Sequence, residues 1–313
     1  MVGMRILFAG TPEFAVPSLH ALVAAGHEVV GVLTREDAPL GRKRVLTPSP
    51  VAQAALELEL PLYRANRLDA AATEWAAARA PELGVIVAYG GLVREPLLST
   101  PRLGWINLHF SELPRWRGAA PVQRALMAGE QRLGVTVFRL VAELDAGAVL
   151  TRDSAEFPPG TAAGTALTSL AECGTTALCE AVTLLAEHPD AGTPQHGDAS
   201  YAHKLQREDG RLDPLAPAAQ VLALWAGVTP EPGAYLLHEG QPLKVHELAP
   251  VAPGTTTAPA ASLAAGAVTL HDDRALLGTA DGVLELVTVQ PAGKPRMAGA
   301  AWLRGRGGAA VLQ

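Results

Sequence analysis

Short apolar runs alternate with amphipathic segments in the first third of the chain, and this alternation limits the fold more than any other feature. Arg5 to Ala9 is an apolar run that ends at Gly10, and Phe14 to Ala25 has apolar residues at helical spacing before Gly26. Glu28 to Thr34 is the next apolar run. This order is typical of a parallel sheet with helices on its faces. The sequence therefore predicts an α/β fold with a doubly wound, mainly parallel sheet.

Two later apolar runs, Gly84 to Tyr89 and Trp105 to Phe110, continue the pattern. Sheets of this kind bind ligands beyond the carboxyl ends of their strands. A dinucleotide site is disfavoured, because the turn at residues 10–14 has one glycine where the dinucleotide fingerprint needs three. Glu13 in that turn would also place a negative charge against a pyrophosphate.

The last third of the chain has a different pattern. A long amphipathic helix is predicted from Thr165 to Glu187, and the segment after it is rich in Gly, Pro and small polar residues. One helix is predicted from Ala216 to Ala226. Short strand-like pieces separated by Gly and Pro then predict a small, OB-like β-barrel; they are Ala234–His238, Leu243–Leu248, Ala267–His271 and Val283–Val289. We expect an α/β domain at residues 1–187, a linker at residues 188–203 and the barrel at residues 204–313.

Charge and cysteine content narrow the class of protein. The net charge of −6 argues against a protein that coats nucleic acid through bulk electrostatics, although it allows a local basic surface. Two cysteines, Cys173 and Cys179, cannot support a disulfide framework or a structural zinc site. The apolar start ends at Gly10, too soon for a secretory signal, and no run approaches the ~18 apolar residues of a membrane span. These features predict a cytoplasmic protein with no membrane partner.

The most informative stretch is the strand that begins at Trp105. Alternate side chains of a strand share a face, so Asn107 and His109 point the same way near its carboxyl end. Such a pair can be structural, with hydrogen bonds to a neighbouring loop, or catalytic. Spacing alone leaves both interpretations open.

The chemistry that suits this pair is acyl transfer in which the substrate supplies the nucleophile. The Asn107 amide can hold a developing oxyanion, and His109 can donate to the same oxygen or move a proton near neutral pH. A carboxylate that orients the histidine would complete the site. Asp145, in the turn that precedes Gly147, is a candidate, although aspartate is also a common turn residue.

Several motifs resemble the methionyl-tRNA formyltransferase family. Residues 111–121 read Ser-Glu-Leu-Pro-Arg-Trp-Arg-Gly-Ala-Ala-Pro and are similar to the family signature Ser-Leu-Leu-Pro-Arg-Trp-Arg-Gly-Ala-Ala-Pro. Residues 5–14, 46–51, 87–90 and 290–294 are also similar, so the resemblance covers both predicted domains. It implies transfer of a formyl group from the co-substrate 10-formyltetrahydrofolate to the methionine amino group of initiator methionyl-tRNA, in translation initiation.

By this resemblance Asn107, His109 and Asp145 occupy the family's catalytic positions. Asn107 and His109 would stabilise the tetrahedral oxyanion, and Asp145 would orient His109. No metal is required, and we expect the protein to act as a monomer.

The resemblance also implies a folate site. It would be formed by the loop Ser111, Glu112, Leu113 and Pro114 and by the segment Tyr89 and Gly90. Glu112 stands where the family usually has Leu.

The tRNA would be bound by two basic clusters. The first is the predicted loop from Arg35 to Arg44, with Arg42, Lys43 and Arg44, which matches a family loop that reaches the acceptor end. The second follows Glu285, the last acidic residue of the chain, and contains Lys294, Arg296 and Arg304.

Two alternatives remain at this level. A formyltransferase for a small amine, or a formyltetrahydrofolate hydrolase, would share the Asn, His and Asp positions but lack this basic loop and barrel arrangement. A non-catalytic tRNA-binding module would not need the intact catalytic residues.

Overall fold

The computed structural model describes residues 3–41, 43–251 and 263–313. These divide into two compact units. The first comprises the described residues within 1–119, 133–155 and 167–202, and the second comprises those within 120–132, 156–166 and 203–313.

Most of the first unit is a seven-stranded sheet with flanking helices. The strands within residues 5–202 are β1 Arg5–Gly10, β2 Glu28–Thr34, β3 Ala38–Leu40, β4 Val45–Thr47, β5 Leu62–Arg64, β6 Leu83–Val87, β7 Trp105–His109, β8 Arg117–Gly118, β9 Arg132–Arg139, β10 Val149–Glu156 and β11 Tyr201–Ala202. The helices over the same residues are α1 Val16–Ala24, α2 Pro50–Glu57, α3 Ala70–Ala77, α4 Pro121–Met127 and α5 Ala163–Glu187, and of these α4 lies in the second unit. Single turns of 3-10 helix occur at Glu13–Ala15 and Leu97–Ser99.

The sheet has the strand order β10-β9-β7-β6-β1-β2-β5. The pairs β1–β2, β1–β6, β2–β5 and β6–β7 are parallel, and β9 joins β7 in the antiparallel direction. The predicted doubly wound, mainly parallel sheet is therefore confirmed. Leu7, Phe8 and Val85 in its centre are fully buried, and burial of each such side chain contributes about 1.5–3 kcal/mol.

Helix starts in this unit follow local side-chain chemistry. Ser49 caps α2 by accepting a hydrogen bond from the Ala52 N–H at 3.0 Å, and Pro50 occupies the first helical position. Asp69 caps α3 in the same way through Ala72, also at 3.0 Å.

The chain direction across the sheet reverses beside β1. The chain runs from β1 outward to β2 and β5, then returns to β6 on the other side of β1. The carboxyl ends of β1, β6 and β7 therefore border the crevice in which α/β sheets bind their ligands.

The second unit is built around an antiparallel sheet. Helix α4 belongs to this unit. Its other elements are a 3-10 turn at Arg207–Gly210, α6 Ala218–Val228, β12 Ala234–His238, β13 Gln241–Pro250, β14 Ala267–His271, β15 Arg274–Gly278, β16 Val283–Pro291, β17 Met297–Ala298, α7 Gly299–Arg304 and β18 Ala309–Val311. The strand order is β12-β13-β16-β15-β14-β18, with β17 paired to β16.

This sheet curls until its two edges meet. The N–H of Gln313, just after β18, donates to the carbonyl of Leu237 in β12 at 2.9 Å, and the Leu237 N–H donates back to Gln313 at 2.6 Å. Trp225, Leu277 and Trp302 are buried in the interior. The predicted small barrel is thus confirmed as a curled antiparallel sheet.

Over the ranges that the structure describes, no helix is long and apolar enough to cross a membrane.

Candidate active site

Asn107 and His109 lie in the last three residues of β7, between β6 and β9. The buried positions around them are apolar: Ile106 and Leu108 are at most 1% exposed. The alternation expected from the sequence is present, so the two polar side chains share one face at the crevice end of the strand.

His109 is buried and held by a backbone carbonyl. Its Nε2 lies 2.9 Å from the Trp116 carbonyl oxygen, which can only accept, so Nε2 carries the proton. Burial lowers the pKa of the imidazole, while the Asp145 carboxylate and the hydrogen bond to Trp116 act in the opposite direction. The net lowering favours a neutral ring, in which Nδ1 is an unprotonated acceptor.

Asp145 is the third member of the cluster and is 8% exposed. Its Oδ2 accepts a hydrogen bond from the Gly118 N–H at 2.7 Å and lies 4.0 Å from Nδ1 of His109. That separation is within ion-pair range but too long for a hydrogen bond. The carboxylate is therefore oriented by Gly118, and it acts on His109 through its charge.

The turn that carries Asp145 depends on Gly147. A Cβ at this position would lie 1.7 Å from the carbonyl oxygen of Arg139, so only glycine lets the turn pass so close to β9. Asp145 itself has φ +47°, in the left-handed region where aspartate is among the better tolerated residues.

Asn107 is half-buried, and its side chain has no hydrogen-bond partner within residues 3–41, 43–251 and 263–313. Both amide N–H groups are thus available to a ligand in the crevice.

The loop at residues 111–114 follows β7 directly. Ser111 and Leu113 are buried: the Ser111 hydroxyl donates to the Arg115 carbonyl at 2.7 Å, and the Leu113 carbonyl accepts from Arg152 at 2.7 Å. Pro114 is also buried, whereas Glu112 is exposed. The buried side chains of this loop therefore fix its shape.

Tyr89 and Gly90 lie in the turn after β6, beside the same crevice. Tyr89 is 1% exposed, and its hydroxyl donates to the Ala65 carbonyl at 2.7 Å. Its ring therefore points into the protein, whereas Gly90 is exposed with φ +77°. The Thr11 hydroxyl donates to the Tyr89 carbonyl at 2.9 Å and ties this turn to the turn after β1.

The residues expected to contact tRNA lie in separate places. Lys43 and Arg44 are exposed in the turn of the β3–β4 hairpin, and Arg42 falls outside the described residues. In the second unit, Lys294 and Arg296 are exposed between β16 and β17, while Arg304 at the end of α7 pairs with Asp273.

Sequence reasoning missed four residues that hold this site. Trp116 and Gly118 act through backbone groups, and Gln195 and Ser200 reach the site from a distant part of the chain. The sequence signal for two of them was Trp-Arg-Gly in the motif at residues 111–121. Gly118 has φ +115°, a backbone conformation that favours glycine, so a glycine at this place in the motif indicates a backbone role.

Within the described part of the chain, no three or more His, Cys, Asp or Glu side chains lie together in a way that could hold a metal ion.

Comparisons with known proteins agree across both units. A family model described as Formyl transferase matches residues 4–182, and one described as Formyl transferase, C-terminal domain matches residues 204–307. The chain is 55% identical over 309 residues to the protein named Methionyl-tRNA formyltransferase of Leifsonia xyli subsp. xyli, across 99% of this chain and 100% of that protein.

Solved structures share the fold at lower sequence identity. HypX from Aquifex aeolicus in complex with tetrahydrofolic acid aligns with a TM-score of 0.64 and 18% identity, across 96% of this chain and 47% of that chain. This chain thus spans about half the length of HypX. Methionyl-tRNA formyltransferase from Clostridium thermocellum aligns with a TM-score of 0.56 and 12% identity, across 80% of this chain and 95% of that chain.

Proposed function

The chain belongs to the methionyl-tRNA formyltransferase family, and from this membership we propose that Asn107, His109 and Asp145 carry out its formyl transfer. The enzyme is a one-carbon formyl transferase of translation initiation. The formyl donor is a folate, which we propose to be 10-formyltetrahydrofolate, and the acceptor is the methionine amino group of initiator methionyl-tRNA.

The observation that carries the residue assignment is the cluster at the crevice end of β7. The Asn107 amide, which has no hydrogen-bond partner among the residues that the structure describes, lies on this strand with the buried neutral His109 imidazole. The Asp145 carboxylate lies beside them on a neighbouring turn. The attacking amine comes from the substrate, so the site needs no nucleophile of its own.

Asn107 stabilises the charge that develops on the formyl oxygen. As the amine nitrogen bonds to the formyl carbon, the carbonyl oxygen becomes an oxyanion, and a preorganised N–H donor lowers the energy of that state. The amide cannot titrate, so this contribution persists across the working pH range.

His109 moves the proton that the reaction must transfer. The amine loses a proton as the new C–N bond forms, and N10 of the folate gains one as its bond to the formyl carbon breaks. Nδ1 of neutral His109 can accept the first proton and return it to N10, while Nε2 stays bound to Trp116. Asp145 stabilises the intermediate imidazolium from 4.0 Å.

We propose that the folate lies along the crevice between Gly90 and the loop at residues 111–114, where it would contact backbone groups and Glu112. Lys43 and Arg44, with Arg42, would contact the tRNA from one side, and Lys294, Arg296 and Arg304 would contact its phosphates. In this division of roles, residues 1–187 carry catalysis, residues 204–313 bind tRNA and residues 188–203 connect them.

All the proposed catalytic residues lie in one chain, so we propose that the enzyme acts as a monomer. Its substrate is made and used where translation occurs, and we therefore propose a cytoplasmic location.

The test is transfer of labelled formyl from 10-formyltetrahydrofolate to charged initiator methionyl-tRNA. We expect labelled formyl-methionine on the initiator, with much less on elongator methionyl-tRNA. Label on an amino sugar or nucleotide with none on tRNA would indicate a small-amine formyltransferase. Release of free formate without an acceptor would indicate a hydrolase, and binding of tRNA without transfer would indicate a non-catalytic module.

A further inference from the structure

A segment from Thr193 to Ala202, which we call the connecting segment, lies against the candidate site within the first unit. Thr193 exchanges backbone hydrogen bonds with Val149 at 2.7 and 2.9 Å. At its other end, β11 pairs with β8 in the parallel direction, and the Ser200 carbonyl accepts from the Arg117 N–H at 2.8 Å. The segment is therefore fixed at both ends, on either side of two side chains that face the site.

Gln195 holds the turn that carries Asp145. Its Nε2 donates to the carbonyl oxygens of Asp145 at 2.8 Å and Gly147 at 2.9 Å. Its Oε1 accepts from the Arg117 guanidinium, with the shorter contact at 2.7 Å. Both amide donors and the amide oxygen are used, so Gln195 joins the Asp145 turn to the strand beside Gly118.

Ser200 holds the backbone that binds His109. Its hydroxyl accepts a hydrogen bond from the Trp116 N–H at 2.9 Å. The carbonyl oxygen of Trp116 in turn lies 2.9 Å from His109 Nε2 and accepts its hydrogen bond. Trp116 has φ +59°, an uncommon conformation for a bulky residue that its surroundings must maintain.

The contacts of Gln195 and Ser200 both act on the relative position of Asp145 and His109, on which the proposed proton transfer depends. One fixes the Asp145 turn and the other fixes the peptide that anchors His109. Displacements of about 1 Å in such a pair can reduce a rate by about a hundredfold.

We propose that Gln195 and Ser200 are positioning residues, which act from the connecting segment to set the geometry of Asp145 and His109. This inference rests on the proposed function of that pair. Neither side chain needs to touch a substrate. The segment between the catalytic and tRNA-binding parts of the chain thereby becomes part of the support of the active site.

The test compares Gln195→Met and Ser200→Ala with the control Asp198→Asn in the full chain. Asp198 is exposed in the same segment and, over the ranges that the structure describes, has no hydrogen bond or ion pair. We expect each of the first two variants to lower kcat about tenfold or more, with the KM for tRNA within about twofold of wild type. Ser200→Thr keeps the hydroxyl and should restore most of kcat.

A second readout, the NMR titration of the His109 ring, needs no formyl transfer. Loss of either support should lower the pKa of His109, because both the Asp145 charge and the Trp116 hydrogen bond raise it. A merely structural role would lower Tm and leave this titration unchanged. Unchanged kcat and titration in both variants would overturn the inference, whereas an inactive wild type whose variants still shift the titration would overturn the proposed function alone.

Discussion

The two nitrogens of His109 have different environments, and this difference defines what the residue can do. Nε2 is committed to the Trp116 carbonyl at 2.9 Å, whereas Nδ1 faces Asp145 from 4.0 Å. The expectation that Asp145 orients the ring stays a prediction. The described contacts of the ring are a hydrogen bond from Nε2 to Trp116 and an approach of Nδ1 to the Asp145 charge.

The first prediction concerns the ionisation of His109. Burial lowers the pKa of this imidazole, so the ring should titrate below the ordinary value of about 6.5 and be neutral at pH 7. The Asp145→Asn variant removes a negative charge that favours the imidazolium, so its midpoint should lie lower still. The measurement is NMR of histidine-labelled protein, with the His109 signal assigned from its absence in His109→Asn.

The prediction is tested by the direction of two changes in the pKa of His109, one in the wild type relative to the ordinary value and one in Asp145→Asn relative to the wild type. A wild-type midpoint at or above the ordinary value would contradict the burial argument. An upward shift in Asp145→Asn would contradict the assigned interaction between the two side chains.

At the scale of elements, long apolar runs could be predicted well and short exposed ones could not. The predicted strand Glu28–Thr34 coincides with β2, and the predicted helix Thr165–Glu187 begins two residues earlier in α5. β5 and β18 have only three residues each and no buried side chain. Their positions depend on pairing with distant strands, which no local pattern records.

Some residues of the candidate site could likewise be predicted from the sequence, and others could not. The placement of Asn107 and His109 on one strand face follows from alternation. The turn before Gly147 made Asp145 a candidate, and the resemblance implied its role. Gln195 and Ser200 could not be predicted, because their contacts join residues 50 and 84 positions apart through backbone groups. Only the folded chain brings such groups together.

The second prediction concerns the turn between β9 and β10. Gly147→Ala places a methyl group against the Arg139 carbonyl, so the turn must move and Asp145 with it. We expect the free energy of unfolding to fall by about 1–3 kcal/mol, together with a loss of kcat. Chemical denaturation and steady-state assays measure the two effects.

Gly305→Ala is the matched control for this substitution. At that position a Cβ would be 3.5 Å from its nearest contact, and φ is −62°. Stability should change by no more than about 1 kcal/mol. Equal effects of the two substitutions would show that the tight turn at Gly147 has no special role.

The third prediction concerns the β3–β4 hairpin. Replacement of Lys43 and Arg44 together by Ala should raise the KM for tRNA and reduce the slope of log KM against log salt by about one to two. The kcat should change little, because Lys43 and Arg44 are not part of the proposed catalytic cluster.

Arg102→Ala provides the comparison for the hairpin. Arg102 pairs with Glu82 at the amino end of the parallel strands, opposite the crevice. Its loss should leave the KM for tRNA and the salt slope near their wild-type values. If Arg102→Ala changed the KM for tRNA and the salt slope as much as the hairpin variant does, the hairpin would have no specific role in tRNA binding.

At the scale of the whole molecule, net charge is a poor guide to the partner and its distribution is a better one. The chain carries −6 overall, with 25 basic and 31 acidic residues. Lys294 and Arg296 are exposed, and within the described residues neither forms an ion pair with a carboxylate. A protein of this charge would bind RNA through selected surfaces rather than through its average field.

The fold of each unit could be predicted from the sequence pattern of its own part of the chain. Alternating strands and helices predicted the first sheet, and punctuated short strands predicted the second. Each unit buries its own apolar residues, with Trp105 in the first and Trp302 in the second. The proposed catalytic residues Asn107, His109 and Asp145 all lie within the first unit.

The most direct test is the single-turnover rate of formyl transfer to initiator methionyl-tRNA, measured for wild type, Asn107→Ala and His109→Ala alongside the Kd for tRNA. We predict rapid transfer by wild type, a loss of about a hundredfold or more in each variant, and a Kd within about twofold of wild type. Variants that keep the wild-type rate, or that lose activity only through weaker tRNA binding, would contradict the assignment of formyl transfer to the end of β7.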